Sequence, residues 1–308
     1  MKKGDKTFMK KRLVAAMCAA VMLIVGAVSF SACGKGSKGS AELDGAKNIS
    51  VVVREDGSGT KSAIMELLGL KGKADKSGVI VASSTAAVMV EVENNKYAIA
   101  YDSLGYVTEE VKKLTVDGVA PSAETIKNGS YKISRPLSVV YKESSLEKPL
   151  NAAYLEFLKS AEAEKIMSDL GYVWTADNAP AYIVKSGLTG TLNLSGSTSF
   201  EDPMVALAEK FMALQSGVKV NVAGGGSGTG YKNAEGDVSD FGMISEVFTQ
   251  TKAPSCVSYA VSFDGIAIIV NKANPVNDVT KEELKNMFDK DAGENAVKTW
   301  SQIADFKK

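Results

Sequence analysis

The sequence predicts an α/β protein with enough chain for about two domains. Short runs of β-branched residues alternate with amphipathic stretches, as expected when strands alternate with helices. The length of 308 residues corresponds to two domains at about 100 to 200 residues each. With 45% hydrophobic and 23% charged residues, the composition is that of ordinary globular protein and excludes a disordered tail or a coiled coil.

Each predicted strand is a short run rich in valine, isoleucine or aromatic residues, and each predicted helix has apolar residues on one helical face. In chain order the predicted strands are Ile49–Arg54, Gly78–Ala82, Tyr97–Tyr101, Leu137–Tyr141, Thr191–Ser195, Val218–Val222 and Gly265–Asn271. The predicted helices are Lys61–Leu68, Thr85–Asn94, Leu150–Leu170, Pro203–Leu214 and Thr280–Phe288.

The N-terminus has the pattern of a secretory signal. A basic segment from Lys2 to Arg12 precedes an uncharged apolar run, Leu13 to Phe30, and small residues then lead to Cys33. We therefore predict a lipoprotein signal peptide over residues 1–32, lipidation of Cys33 and a flexible tether over 33–48. A signal-anchor helix is the alternative, because the apolar run is at the edge of spanning length.

Charge and composition exclude several function classes. The 36 basic and 36 acidic residues balance, so no global basic field for nucleic acid exists. Histidine is absent, which removes Ser-His-Asp and Cys-His catalysis and His-ligated zinc. We expect no enzymatic activity, no metal and no cofactor.

Three glycine- and hydroxyl-rich loops each join a predicted strand to a helix start. They span 54–60, 195–200 and 223–230. Helix N-termini with small residues and hydroxyls bind anions, and Arg54 adds a planar donor fork. A nucleotide site fits poorly, because Tyr231 separates Gly230 from Lys232 and breaks the P-loop pattern. The loops therefore suit a small anion.

Several motifs resemble the phosphate-binding proteins of ABC-type phosphate importers (PstS type). The segment Arg54-Glu55-Asp56-Gly57-Ser58-Gly59-Thr60 is similar to the R-x-D-G-S-G-T motif of that family. Residues 196–200, 225–230 and 240–246 resemble its two glycine-rich loops and its acidic stretch. The resemblance implies a two-lobed periplasmic-binding-protein-like fold with two hinge crossovers.

The resemblance also implies a set of phosphate ligands. These are Arg54, Ser58, Gly59, Thr60, Thr198, Ser199, Phe200, Ser227 and Glu246. Asp56 is expected to hold the Arg54 guanidinium, with a turn role as the alternative. Glu246 is expected to accept the proton of hydrogenphosphate and to repel sulfate, which has none; a solvated surface charge is the alternative.

The order of the motifs departs from that family, since the arginine motif comes first here. Joining Lys308 to Asn48 would restore the usual order, which predicts a circular permutation. One lobe is then continuous, 133–262, and the other is split into 49–132 and 263–308. A truncated tandem of two half-domains is the alternative.

The resemblance implies an extracytoplasmic protein, anchored in the membrane by its N-terminal lipid, that captures inorganic phosphate for an ABC permease. A monomer that does not bind nucleic acid is expected. Two other functions stay open: binding of another oxyanion (sulfate, molybdate or tungstate) or surface sensing on the same scaffold, and an enzyme acting on phosphate esters.

Overall fold

The computed structural model describes residues 42–174, 176 and 178–307. The predicted signal peptide, Cys33 and all but the end of the predicted tether lie outside the described residues. Within the described part of the chain, no helix combines the length and apolar character needed to cross a membrane.

The strands of the described residues follow most of the predicted runs. They are β1 Ser50–Arg54, β2 Ile80–Ala82, β3 Ala98–Ser103, β4 Val111–Lys113, β5 Thr115–Val116, β6 Ser134–Tyr141, β7 Val173–Trp174, β8 Gly190–Gly196, β9 Val218–Gly224, β10 Phe241–Ile244, β11 Val257–Asn271 and β12 Asp278–Val279.

The α-helices of this part of the chain separate these strands or, in the case of the last helix, follow them. They are α1 Gly59–Leu67, α2 Thr85–Asn94, α3 Ala123–Lys127, α4 Pro149–Leu158, α5 Ala161–Asp169, α6 Glu201–Leu214, α7 Ser227–Glu235 and α8 Lys281–Phe288.

The prediction of one helix over Leu150–Leu170 is wrong, because the segment forms α4 and α5. Ser160 interrupts it, since its hydroxyl accepts a hydrogen bond from the Ala163 amide at 3.4 Å and so caps a new helix. The Ala161 amide donates to the carbonyl of Pro180 at 2.8 Å, outside either helix. A cap and a tertiary hydrogen bond thus replace one continuous helix.

A mixed sheet extends through the molecule in the order β2-β1-β3-β11-β6-β10-β8-β9, and β4 and β7 also pair with β11. The strand β11 joins its two parts, because residues 257–265 pair with β6 and residues 266–270 pair with β3. We call the part around β1, β2 and β3 the first half of the molecule. The part around β6, β8, β9 and β10 is the second half.

Both ends of the described chain contribute to one hydrophobic core in the first half. Ile49, Ile64, Ile268 and Trp300 belong to this core, and Trp300 is fully buried. A separate core, formed by residues between Leu137 and Val261, lies in the second half. Each half therefore buries its own apolar residues, as a unit of this size can.

The first described residues pack against the last ones. The amide of Ile49 donates to the carbonyl of Lys298 at 2.8 Å, and the amide of Ser301 donates to that of Gly45 at 2.8 Å. Leu43 is buried. Residues 42–48, which the sequence assigns to the flexible tether, are therefore part of the folded first half.

Candidate anion site

The three predicted loops all follow the carboxyl ends of parallel strands. Arg54 ends β1 and Ser58 caps α1; Gly196 ends β8 just before α6; Gly226 caps α7. The first N–H groups of a helix have no acceptor within that helix and carry its positive dipole end. The topology thus directs three donor-rich helix starts at one edge of the sheet, where open α/β folds bind ligands.

Arg54 is the central charge of this edge. Its side chain is 1% exposed. The guanidinium donates to both carboxylate oxygens of Glu55, from Nε at 3.0 Å and from Nη2 at 2.9 Å. It also donates to the hydroxyls of Thr85 at 3.3 Å and Thr198 at 3.1 Å. A buried guanidinium therefore has one acidic partner and two neutral oxygens around it.

The prediction that Asp56 holds Arg54 is wrong, because Glu55 is the carboxylate on the guanidinium. The Asp56 side chain is 99% exposed, and its carboxylate pairs with Lys61 at 2.7 Å. That hydrogen bond and charge lower the pKa of Asp56. The turn after β1 projects Asp56 into solvent, with Gly57 next to it at a φ of 90°.

Four hydroxyls next to Arg54 form what we call the hydroxyl cluster, namely Thr60, Thr85, Thr198 and Ser199. The oxygens of Thr60 and Ser199 lie 2.9 Å apart, and Thr85 lies 3.1 Å from Thr198 and 3.3 Å from Ser199. Thr60 and Thr85 belong to the first half of the molecule, whereas Thr198 and Ser199 belong to the second. The cluster therefore connects the two halves through small, reorientable donors.

The third loop reaches the first through Ser227. Its hydroxyl accepts from the Ser245 amide at 3.0 Å, and a Cβ at Gly59 would collide with the hydroxyls of Ser227 and Ser245. The Gly228 amide donates to the carbonyl of Gly57 at 2.9 Å. Glycine at position 59 is thus required by the close approach of the two loops.

Ser58 and Phe200, both predicted ligands, have structural contacts here. The Ser58 hydroxyl caps α1 by accepting from the Lys61 amide at 3.3 Å. The Phe200 ring is fully buried in the core of the second half, and its amide donates to the Ser197 carbonyl at 3.2 Å.

The structure places Glu246 apart from the hydroxyl cluster. Its carboxylate, 8% exposed, pairs with Lys252 at 2.8 Å. It lines a separate cavity together with Asp56, Ser58 and Lys61. No hydrogen bond or ion pair joins it to Arg54 or to the hydroxyl cluster within the described residues, so the predicted role of this carboxylate lacks geometric support.

Arg135 is a second buried cation of the site, and it was not predicted as a site residue. Its Nη1 donates to the Thr60 hydroxyl at 2.7 Å and to the Ser245 carbonyl at 2.9 Å. Its Nη2 pairs with Asp264 at 3.0 Å, and both side chains are 1% exposed. Burial raises the pKa of Asp264 against the effect of Arg135. An arginine near the start of a mostly apolar strand was the available signal.

Thr85 and Ser245 were also missed as site residues. Ser84 caps α2 by accepting from the Ala87 amide at 3.1 Å, and the Thr85 hydroxyl accepts a hydrogen bond from Arg54. Ser245 is buried and accepts from the Ser197 hydroxyl at 2.8 Å. The site therefore holds two arginines and hydroxyls from both halves.

Comparison with known proteins places the chain among binding proteins. A model of the PBP superfamily domain matches residues 38–162 and 184–308. The phosphate-binding protein PstS 2 of Streptococcus agalactiae is 32% identical over 289 residues, covering 91% of this chain and 96% of the relative. The phosphate-binding protein PstS of Bacillus subtilis is 33% identical over 119 residues, 37% of this chain and 38% of the relative.

A solved structure is similar over most of its length. The crystal structure of a phosphate-binding protein of a phosphate ABC transporter from Streptococcus pneumoniae superposes with a TM-score of 0.66 at 31% identity. The superposition covers 83% of this chain and 99% of that one. The fold is thus that of an α/β binding protein with a mixed sheet.

Proposed function

Since the chain belongs to the PBP superfamily and within it to the family of PstS phosphate-binding proteins, we propose that it binds inorganic phosphate between its two halves. This family consists of solute-binding proteins of ABC transporters and not of enzymes. The protein would act as a monomer on the extracytoplasmic face of the membrane, anchored through a lipid on Cys33, and deliver phosphate to an ABC permease.

One observation carries this proposal: a buried guanidinium and hydroxyls from both halves meet at one point. Arg54 contacts Thr85 of the first half and Thr198 of the second, while Thr60 contacts Ser199 across the cleft. A tetrahedral oxyanion offers acceptors in all directions, so it can replace the hydroxyl–hydroxyl bonds with hydroxyl–anion bonds. Charge-assisted bonds of that kind are shorter and stronger than those between neutral groups.

The proposed ligand groups extend the set that the sequence implied. Arg54 supplies charge, while the helix-start amides of Gly59 and Thr60 and the Ser199 amide just before α6 supply directed donors. The hydroxyls of the cluster and of Ser227 complete the shell. Arg135 acts behind Thr60, because its Nη1 occupies an acceptor position of that hydroxyl and leaves the Thr60 proton for the anion.

Titration calorimetry tests this function. We expect stoichiometric binding of one phosphate per chain, in competition with arsenate, which has the same shape and also carries a proton. Sulfate, molybdate and tungstate are the comparison ligands for the alternative specificity. A protein that binds one of these but not phosphate would contradict the proposal and favour that alternative.

We further propose that the two halves are lobes, 133–262 and 49–132 with 263–308, in a permuted chain. A permuted chain aligns end to end with relatives that share its order, but over only one segment with relatives that have the usual order. The Streptococcus agalactiae relative aligns over nearly all of both chains, whereas the Bacillus subtilis relative aligns over little more than a third, and this difference in coverage supports the proposal. The hydrogen bonds between Gly45 and Ser301 and between Ile49 and Lys298 also support the proposal, because they hold the two ends of the described chain together.

A relinked chain tests the permutation. Residues 188–308 followed by a short linker and residues 42–186 would restore the usual order, with the new break beside the exposed Ile183 and Val184. We expect a folded protein with the phosphate affinity of the parent, measured by calorimetry. A control relinked at the buried Ile268 in β11 should not fold. Failure of the first variant to fold would favour a truncated tandem.

A further inference from the structure

The turn between β1 and α1 carries an exposed aspartate followed directly by a glycine. The side chain of Asp56 is 99% exposed. Gly57 has a φ of 90°, which favours glycine, and open space surrounds the position that a Cβ would occupy. The Gly57 amide makes no hydrogen bond among the described residues. An accessible carboxyl group therefore adjoins an unhindered amide that no acceptor holds in place.

This arrangement suits the isomerisation of an aspartyl peptide bond. The Gly57 nitrogen attacks Cγ of Asp56, and the new N–Cγ bond closes a five-membered succinimide ring. Lys61, whose Nζ lies 2.7 Å from Oδ1 of Asp56, can protonate the departing carboxyl oxygen, which leaves as water together with the amide hydrogen. Water then cleaves the ring at the main-chain carbonyl and returns a proton to solvent. The product is isoaspartate, formed without a change of mass and without an oxidant.

We propose that Asp56 converts to isoaspartate as the protein ages and that this conversion inactivates the anion site. The conversion depends only on the turn, whereas its effect on phosphate binding rests on the proposed function.

Two similar pairs of residues lie in turns where the glycine amide is held. At 117–118 the glycine amide donates to the Asp278 carboxylate at 2.9 Å. At 128–129 the pair is asparagine and glycine, and the glycine amide donates to the Ile126 carbonyl at 3.1 Å. An asparagine–glycine pair closes the ring faster than an aspartate–glycine pair in an unstructured peptide. The structure favours the opposite order, because a held amide must break its hydrogen bond before it attacks.

The two remaining pairs within the described residues are restrained by packing. A Cβ on Gly45 would collide with the Phe306 ring, and the carboxylate of the preceding Asp44 accepts from the Ala46 amide at 3.0 Å. The pair at 264–265 is buried inside β11. Within the described part of the chain, the pair at 56–57 thus combines an exposed carboxyl group with an unrestrained glycine.

The site has little room for the product. Isoaspartate at position 56 lengthens the main chain by one carbon, about 1.5 Å. The Gly57 carbonyl accepts from the Gly228 amide of the other half at 2.9 Å, and at Gly59 even a Cβ would collide with the Ser227 hydroxyl. The extra atom must therefore displace the Arg54 guanidinium or the start of α1, and both belong to the proposed site.

Peptide mapping of the aged protein tests the proposal. The full chain is incubated at neutral pH beside a synthetic peptide of residues 52–60, and electron-transfer fragmentation distinguishes isoaspartate from aspartate. We expect isoaspartate to accumulate at Asp56 ahead of positions 117 and 128. The number of phosphate sites per chain, measured by calorimetry, should fall by the same fraction. Earlier conversion at 117 or 128, or an unchanged Asp56 once the peptide has converted, would overturn the proposal.

Asp56→Glu is the matched control, because glutamate would have to close a six-membered ring, which forms far more slowly. The fresh variant should bind phosphate within a few-fold of the wild type, since the Asp56 carboxylate faces solvent, and the aged variant should keep all of its sites. An aged wild type that carries isoaspartate at full stoichiometry, or an Asp56→Glu variant that loses sites equally fast, would overturn the inactivation. A fresh wild type that binds no phosphate would contradict the proposed function instead, while the peptide map still decides whether Asp56 converts.

Discussion

Replacing Arg54 by alanine should weaken phosphate binding by about 10- to 150-fold. The substitution removes the charge-assisted hydrogen bonds of a buried guanidinium, which contribute about 1.5 to 3 kcal/mol. Arg54→Lys should recover only part of the loss, because an ammonium cannot hold Glu55 in two-point contact and also reach Thr85 and Thr198. Calorimetry with phosphate measures both variants.

Lys61→Ala is the matched control, because Lys61 is a cation close to Arg54 in the chain that pairs with Asp56 and Asp75 and not with the hydroxyl cluster. Its phosphate affinity should stay within a few-fold of the wild type. An Arg54→Ala variant that binds phosphate as tightly as Lys61→Ala would show that Arg54 is not a phosphate ligand.

Replacing Arg135 by alanine should lower the free energy of unfolding by about 3 to 5 kcal/mol, because it leaves the Asp264 carboxyl buried without its partner. We expect this to be the largest loss of stability among the single substitutions proposed. Denaturant unfolding measures this loss. Burial already raises the pKa of Asp264 in the wild type, and the loss of Arg135 should raise it further. The deficit should therefore be smallest at low pH, where this carboxyl is protonated in both proteins, and should grow once the pH passes the wild-type folded pKa.

The double variant Arg135→Leu with Asp264→Leu separates the ion pair from the fold. It removes both charges together, so most of the stability should return. Phosphate affinity should not return to that of the wild type, because Thr60 then lacks the donor that orients its hydroxyl. A double variant as unstable as Arg135→Ala would show that the buried pair is not the cause.

Local patterns predicted those parts of the fold that depend on neighbouring residues. The helix Thr85–Asn94 has the predicted bounds, because a serine cap and a run of apolar residues define it within one segment. The strand β11 was predicted only from Gly265, yet it begins at Val257. Its first part is irregular between Ala260 and Ser262 and exposes Phe263, so the apolar pattern there is weak.

Tertiary contacts decided the rest of the site. The motif identified Arg54 and the helix start that follows it. Two adjacent acidic residues, Glu55 and Asp56, were both possible ion-pair partners of Arg54, and the sequence did not decide between them. The direction of the turn determines which of them folds back. Arg135 lies far from the motif in sequence, and the pairing of β11 with β6 sets it beside Asp264, while its Nη1 reaches the Thr60 hydroxyl of the motif. No local pattern carries that information.

A crystal structure of the protein with phosphate tests the central claim most directly. We predict one phosphate between the two halves, with oxygens about 2.7 to 2.9 Å from the Arg54 guanidinium and hydrogen-bonded to the hydroxyls of Thr60 and Ser199, one from each half. Phosphate bound at another place, or held by one half alone without contact to Arg54, would contradict it.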